Sequence, residues 1–524
     1  MTSFGMHAPS EPIAGPRDDV DLLVVGGGIN GVGIARDAAG RGLSVLLCER
    51  GDLAGATSSA SSKLIHGGLR YLEQCAFRLV RESLAEREVL MRIAPHLVRP
   101  RRFVLPHERG ARSRWLIRTG LFLYDHLGGP RSLPGTQSLR FAGDALGAPL
   151  QQRLRDGFAY SDCVVDDSRL VVVNARDAKG RGAEIAPRTA LVAARRDGRR
   201  WRATLETPDG RQRAVEARIL VNAAGPWAEN VLRRAGLRSR AGLRLVKGSH
   251  IVVRRLYDGE HAYLLQNEDG RVVFVIPYQR DFTLIGTTDL PVAGEPDEVR
   301  IEDAETEYLC RAVSRYFRAP LSPAEVVWSY AGIRPLYDDR AASAAAVTRD
   351  YVLELDRDGP PVLSVFGGKL TTYRRLAEHA LAKLGLDLGG ARGPWTAHSL
   401  LPGAEGLPPG GPDALARELR AEHPILDERT ADRLAHSYGA DARRILDGAA
   451  QRPALGRDLG GVGEREVAWM VAEEWARTPE DVLWRRSKLG LQTPPETLPR
   501  LAAYLDATRR PAMPDRAAAE TSAP

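Results

Sequence analysis

The chain has 524 residues, 43% of them apolar and 27% charged, which suits a protein of two or three domains and excludes wholesale disorder or a fibrous repeat. Its 74 basic and 67 acidic residues leave a net charge of +7, favouring anionic partners such as phosphorylated substrates, nucleic acid or acidic lipid headgroups without choosing among them. Four scattered cysteines, Cys48, Cys75, Cys163 and Cys310, have no partner at metal-site spacing, so the expectation is no metal and a reducing compartment.

Residues 1–18 lack a basic start followed by an apolar run and are expected to be a disordered lead-in rather than a leader or an anchor. No stretch of about 18 uncharged apolar residues occurs, so no bilayer-spanning segment is expected. Surface attachment to a membrane stays open.

From Val20 the run VDLLVV, the segment GGGINGVGIARDAAGRG and the run LSVLLCE predict strand, turn, helix and strand. In Gly26-x-Gly28-x-x-Gly31 the first glycine permits the sharp turn, the second lets a pyrophosphate approach the backbone, and the third lets helix pack on strand. The pyrophosphate would rest on the amides around Gly28, Ile29 and Asn30 at the helix N-terminus, where the macrodipole favours an anion. Glu49 ends the second strand, placed to accept hydrogen bonds from an adenosine ribose. The whole unit favours a dinucleotide site over a tight turn with no ligand, but it does not separate FAD from NAD.

Next comes GDLAGATSSASSKLIHGGLRYL. Its short hydroxyl side chains, Thr57, Ser58, Ser59, Ser61 and Ser62, suit phosphates and a ribityl chain; Lys63, His66, Gly67, Gly68, Arg70 and Tyr71 follow directly. Between Leu97 and Leu127, seven arginines against two acids surround Trp115, Leu116, Ile117, Leu121, Phe122, Leu123 and Tyr124. The residues alone leave ordinary core beneath a solvated arginine loop as the first reading, with an interfacial helix as the alternative.

Two later segments again carry a strand into glycine. ARILVNAAGPWA ends a strand at Asn222, with Ala223 and Gly225 close to the first glycine turn, and PPVLSVFGGKLTTYRRLAEHAL carries Gly367, Gly368, Lys369, Leu370 and Thr371 into a helix. Three such junctions converge on one ligand, which favours FAD. No second G-x-G-x-x-G follows a strand, so the electrons are expected from an organic substrate. In FTLIGTTD, Asp289 is expected to serve a turn or a cap rather than chemistry. Beyond Gly403 a Pro/Gly-rich linker leads to amphipathic helices around 414–422, 427–438 and 464–476, with a helix start at Thr478-Pro-Glu-Asp481. Trp469, Trp475 and Trp484 are expected in the core of this small helical domain.

The runs GGGINGVGIARDAAGRGLSVLLCE, ATSSASSKLIHGGLRYLE, KGSHIVV, QNEDGRVVFVIPY, IGTTD, GIRPL and LSVFGGKLTTYRRLAEHAL together resemble the FAD-dependent, quinone-linked glycerol-3-phosphate dehydrogenase family. The resemblance implies an α/β fold. It combines a Rossmann-like FAD-binding domain of the glutathione-reductase and D-amino-acid-oxidase type with an interleaved antiparallel-sheet substrate domain and a C-terminal helical domain. The expected division is a lead-in at 1–18, FAD-binding parts at 19–94, 165–245 and 350–400, a substrate and membrane-facing segment at 95–164, a substrate-binding sheet at 246–349, a helical domain at 401–515 and a tail at 516–524.

The reaction it implies is oxidation of sn-glycerol 3-phosphate at C2 to dihydroxyacetone phosphate. The expected cofactor contacts are Gly26, Gly28, Ile29, Asn30, Gly31, Glu49, Thr57, Ser58, Ser59, Ser62, Lys63, His66, Gly67, Gly68, Ala223, Gly225, Gly367, Gly368, Lys369, Leu370 and Thr371. Arg334 and Arg349 are expected to clamp the phosphate, since Arg matches its oxygens bidentately, with Arg70, Tyr71 and Lys369 as further substrate contacts. His250, with His66 behind it, is the expected proton acceptor, and Arg334, Lys369 and Arg70 would stabilise the developing alkoxide. The resemblance also implies quinone as acceptor and a cytoplasmic enzyme peripheral to the inner face of the cell membrane; a homodimer stays open. Runner-up readings are a glycerol-3-phosphate oxidase using oxygen and a related FAD-dependent hydroxy-acid dehydrogenase. Nucleic acid is not expected, for want of a basic arm with interleaved stacking aromatics outside 97–127.

Overall fold

The protein is described from a computed structural model covering residues 18–108, 113–239, 242–292, 294, 296–338, 350–385, 392–447 and 456–509. The run Asp19–Val25 is a central strand, with Leu22, Leu23 and Val24 fully buried. From Leu22 to Val25 the strand is covered on both faces and is apolar at every position, whereas Asp19 and Asp21 stand at its less buried start. It pairs in parallel with Val45–Glu49 on one side and Gln212–Asn222 on the other. The sheet has eight strands: Val352–Asp356, Val362–Phe366, Gln212–Asn222, Asp19–Val25, Val45–Glu49 and Glu184–Pro187 in that order, with a hairpin of Ala190–Asp197 and Arg200–Glu206 joined to Gln212–Asn222. Helices Ile29–Gly40, Asp167–Gly180 and Tyr373–Lys383 pack over it in one apolar core. Burying each Leu or Val there contributes about 1.5–3 kcal/mol.

A second sheet of ten strands is mostly antiparallel. Its longest pairing joins Leu243–Arg254 to Val326–Tyr337, with His250 opposite Tyr330 and Val246 opposite Arg334. One pair, Ala262–Gln266 with Val98–His107, runs parallel. The short strand Leu64–Ile65 belongs to this second sheet although it lies in the stretch 19–94, because it pairs with Asp156–Val165. The Ser-rich loop thus passes directly from the dinucleotide sheet to the substrate sheet.

The described part of Leu97 to Leu127 is two elements rather than one. Val98–His107 is a sheet strand, whereas Arg114–Leu127 is a helix. The helix buries Ile117, Leu121 and Tyr124 but leaves Trp115, Leu116 and Phe122 at 75%, 61% and 61% exposure.

Helices Gly411–Glu422, Glu428–Tyr438, Asp441–Leu446, Glu464–Glu473 and Thr497–Arg509 and the helical segment Asp481–Arg486 surround a separate C-terminal core. The Thr478 hydroxyl accepts the Asp481 amide at 3.2 Å, as a helix cap does. Trp469 and Trp484 pack on this core, but Trp475 packs instead against the core of the first sheet, with the Lys179 ammonium 5.5 Å above its ring. The turn after Glu464–Glu473 faces the first domain, and a large apolar ring there is buried by whichever core it meets.

Candidate active site

The first glycine turn is shaped by close backbone approach. Gly26 has φ +117°, and a Cβ there would lie 2.4 Å from the Ala223 carbonyl oxygen; one on Gly31 would lie 1.9 Å from the Gly26 carbonyl oxygen. Only hydrogen fits at either position. The helix that follows has Gly28 at its N-cap and no side chain capping it through Gly28, so its first amides point toward the turn. The Ser58 hydroxyl accepts the Ile29 amide at 3.0 Å, and Glu49 accepts the amides of Gly27 and Gly51, each at 2.7 Å. Asn30 donates to the Gly367 carbonyl at 3.2 Å, tying this turn to the third glycine junction. A dinucleotide fits this cradle, with its pyrophosphate at the helix N-terminus and its ribose at Glu49.

Beyond Gly367 opens a cavity of ≈ 410 Å³. Of the expected site residues, its walls bring together Thr57, Ser62, His66, Gly68, Arg70 and Tyr71 from the Ser-rich segment. His250 and Arg334 join them from the substrate sheet, and Gly367, Gly368, Lys369, Leu370 and Thr371 from the third junction. The Lys369 ammonium lies 3.8 Å from the centre of the Tyr71 ring, within cation–π range. The His66 amide donates to the Thr371 hydroxyl at 3.2 Å, linking the two loops. Gly67 stands behind the wall, its amide bonded to the Tyr124 hydroxyl at 2.8 Å, which itself donates to Asp162 at 2.7 Å.

The remaining expected contacts lie elsewhere. Ser59 bonds the Ala56 carbonyl, while Ala223 and Gly225 follow the strand beside the glycine turn. Lys63 is directed away from the cavity: its ammonium lies 2.8 Å from Asp167, which also holds the Lys488 ammonium at 3.2 Å. Two cations on one buried carboxylate fix the Ser61–Lys63 turn, whose Ser61 hydroxyl donates to Asp167 at 2.8 Å. Burial and Lys488 draw the Lys63 ammonium down to about 8, against the pull of Asp167. Arg349 lies outside the described residues.

His250 is almost fully buried, with Nε2 2.9 Å from the Ser62 hydroxyl and Nδ1 without a hydrogen-bond partner among the described residues. Burial drives its pKa well below the ordinary histidine value; Arg334 and Lys63 push the same way, and Asp167 opposes them. The imidazole is therefore neutral near pH 7, the form that can accept a proton.

Asp289, expected to be only a turn residue, lines the cavity and holds Arg334, Oδ1 to Nη1 2.5 Å; the Thr287 hydroxyl takes Nη2 at 3.0 Å. A second unanticipated group is Glu305, which accepts the Ser249 and Thr288 hydroxyls at 2.8 and 2.6 Å and lies 2.9 Å from Lys247. Forty-five positions separate Asp289 from Arg334, and they meet because Leu290–Pro291, just after Asp289, and Val326–Tyr337 both pair with Leu243–Arg254. No local pattern in the chain signals that meeting.

The cavity and the glycine cradle meet at Gly367, which lines the one and bonds Asn30 of the other, an arrangement that fits a flavin dinucleotide beside a small substrate. The model of the FAD dependent oxidoreductase family matches residues 21–374, and that of the C-terminal domain of alpha-glycerophosphate oxidase matches residues 395–510. The chain is 52% identical to a glycerol-3-phosphate dehydrogenase of Pseudomonas aeruginosa over 95% of its length and 97% of the relative. It is 49% identical to the aerobic glycerol-3-phosphate dehydrogenase of Escherichia coli, over 93% and 97%. A D-erythritol 1-phosphate dehydrogenase of Brucella abortus is 48% identical, over 89% and 94%. The glycerol-3-phosphate dehydrogenase of Bacillus halodurans, solved with FAD, superposes with a TM-score of 0.71 at 27% identity, covering 90% of this chain and 86% of that one. The protein is an FAD-dependent oxidoreductase, an enzyme of the D-amino-acid-oxidase type with a helical C-terminal domain. Within that class the chain belongs to the glycerol-3-phosphate dehydrogenase family.

Proposed function

We propose that the enzyme oxidises sn-glycerol 3-phosphate at C2 to dihydroxyacetone phosphate and delivers the electrons to quinone at a membrane surface. The observation that carries the first part is a neutral histidine and an arginine facing one cavity, beside the Lys369–Tyr71 wall. Bound FAD supplies the hydride acceptor. Arg334, oriented by Asp289 and Thr287, takes the substrate phosphate, with Arg349 and Arg70 as further cations. His250 accepts the C2 hydroxyl proton, the Ser62 hydroxyl holding the ring in place. Lys369 and Arg70 stabilise the oxygen as it becomes an alkoxide.

The exposed face of the Arg114–Leu127 helix supports the second part. Trp115, Leu116 and Phe122 stand clear of the protein beside Arg114 and Arg118, the composition of an interfacial helix. Leu116 and Leu123 also line the cavity, so an apolar acceptor leaving a bilayer would meet the site through this side. Among the described residues no helix is long and apolar enough to cross a membrane. The reading is a peripheral enzyme on the inner face of the cell membrane.

Purified holoenzyme should be yellow and should bleach when glycerol 3-phosphate is added without air. Turnover with a soluble quinone analogue should exceed peroxide formation under air. Arg334→Ala should raise KM for glycerol 3-phosphate about 10- to 100-fold, because it removes a charged donor and leaves Asp289 to repel the phosphate. An unchanged KM would rule out the clamp. The Brucella relative motivates a parallel assay of D-erythritol 1-phosphate; a higher kcat/KM for it would reassign the substrate to a longer phosphorylated polyol.

A further inference from the structure

His250 does not stand alone on its strand. Its ring lies face to face with Tyr330, centroids 4.8 Å apart and planes at 13°, across the pairing of Leu243–Arg254 with Val326–Tyr337. Two residues along the same strand, and so on the same face, Trp328 contacts the Tyr330 ring at 5.0 Å. Trp328 in turn stacks on Trp484 of the C-terminal domain at 4.3 Å and 19°. Four rings thus run from the helical domain to the proposed proton acceptor.

Both ends of this row are fixed. Trp484 packs on the C-terminal core, and its ring fills the place a Cβ on Gly490 would take, 2.4 Å away. At the inner end the Tyr330 hydroxyl donates to the Ser61 carbonyl at 2.7 Å, beside the Ser62 hydroxyl that meets His250 Nε2. Trp328 is only half-buried, so without Trp484 its outer face would meet water and the row would lose its stop. We propose that Trp484 is a positioning residue for the oxidation reaction, holding His250 in orientation and out of water through Trp328 and Tyr330. Ring pairs of this kind, two stacked and the Trp328–Tyr330 pair tilted at 40°, add specific geometry to apolar burial, and a small displacement of a proton acceptor costs far more rate than stability.

The inference rests on the reading of His250 as proton acceptor, and three holoenzyme variants with a His250 control separate the two. Turnover is measured with a soluble dye acceptor at matched FAD occupancy, as a function of pH. Trp484→Ala should lower kcat about 10-fold with KM for glycerol 3-phosphate changed less than about 2-fold. Its acid limb should move up toward the ordinary histidine range, because water reaches a ring that burial had kept neutral. The charged groups facing His250, namely Arg334, Lys63 and Asp167, are untouched in these variants, so they cannot cause that shift. Trp484→Phe keeps a ring and should recover most of the rate. Trp484→Leu keeps apolar volume without the stack and should behave like Trp484→Ala; if Ala fails to fold, the Leu and Phe pair decides. Trp484→Leu matching Trp484→Phe in rate and profile overturns the inference. His250→Asn with undiminished kcat would overturn the proton-acceptor reading instead, whereas an inactive His250→Asn beside a fully active Trp484→Leu overturns the stack alone.

Discussion

At His250 burial and two nearby cations act in the same direction, and both favour the neutral imidazole that the proposed proton acceptor needs. Protonating the imidazole would place a third positive charge near Arg334 and Lys63 in a dry site, so its pKa lies well below 6.5. The proton-accepting form then persists as pH falls through the ordinary histidine range. kcat/KM measured from about pH 5 to 8 should therefore hold its plateau through pH 6.5 and decline only below it. A limb centred at or above 6.5 would mean that another group takes the proton. Arg334 shows the opposite arrangement: Asp289 fixes the guanidinium, and on the proposed reading the pair would offer the substrate phosphate a cation already in orientation. The candidate cations were legible in the chain because arginines beside glycine pairs and apolar turns stand out, while Asp289 was not, because its role exists only across a strand pairing.

Among the elements, the glycine turn is the most constrained by contact and the Arg114–Leu127 helix the least. Gly31→Ala would press a methyl against the Gly26 carbonyl and push helix from strand, so the variant should purify without bound FAD, as its absorbance at flavin wavelengths would show. Full flavin occupancy would contradict the close approach. The helix carries a different risk. Trp115 and Phe122 are mostly exposed and their ring contacts are with Arg118 and His126 of the same helix, so replacing both with Ser should leave the melting temperature nearly unchanged. On the membrane reading it should also remove most flotation with liposomes of acidic lipid, since each large apolar side chain contributes about 1.5–3 kcal/mol on burial. Undiminished flotation would move the membrane contact elsewhere. The pattern of residues 97–127 suggested either core or interface, and the fold assigned strand and helix separately, a choice that pairing with Asp156–Val165 makes and sequence periodicity does not.

Across the whole molecule, the C-terminal domain is joined to the FAD domain by buried charge. Arg486 is fully buried and grips Asp52 with two bonds of 2.7 and 2.8 Å, Arg485 adds a third at 2.6 Å, and Arg169 meets Glu474 at 2.5 Å. Asp52→Ala leaves a buried guanidinium uncompensated and should cost about 3–5 kcal/mol, read as a lower melting temperature; an unchanged melt would show that the Asp52 pairs do not hold the domains together. Acid should weaken the same interface. Burial pushes Asp481 upward, but Arg188 and Arg485 hold it down to about 2. Its contribution is complete above about 3.8 and fades as pH falls through about 2.

The chain by itself determined the dinucleotide unit, because strand, glycine turn, helix and terminal acid are local and each is required by backbone geometry. It also determined the cofactor class and, through its family segments, the chemistry. Only the tertiary structure decided which side of the Arg114–Leu127 helix faces out, where Trp475 packs, and that Asp289 meets Arg334, Glu305 meets Ser249 and Thr288, and Trp484 stacks on Trp328. Those features join residues tens to hundreds of positions apart through sheet register and domain docking, and such contacts leave no periodicity along the chain.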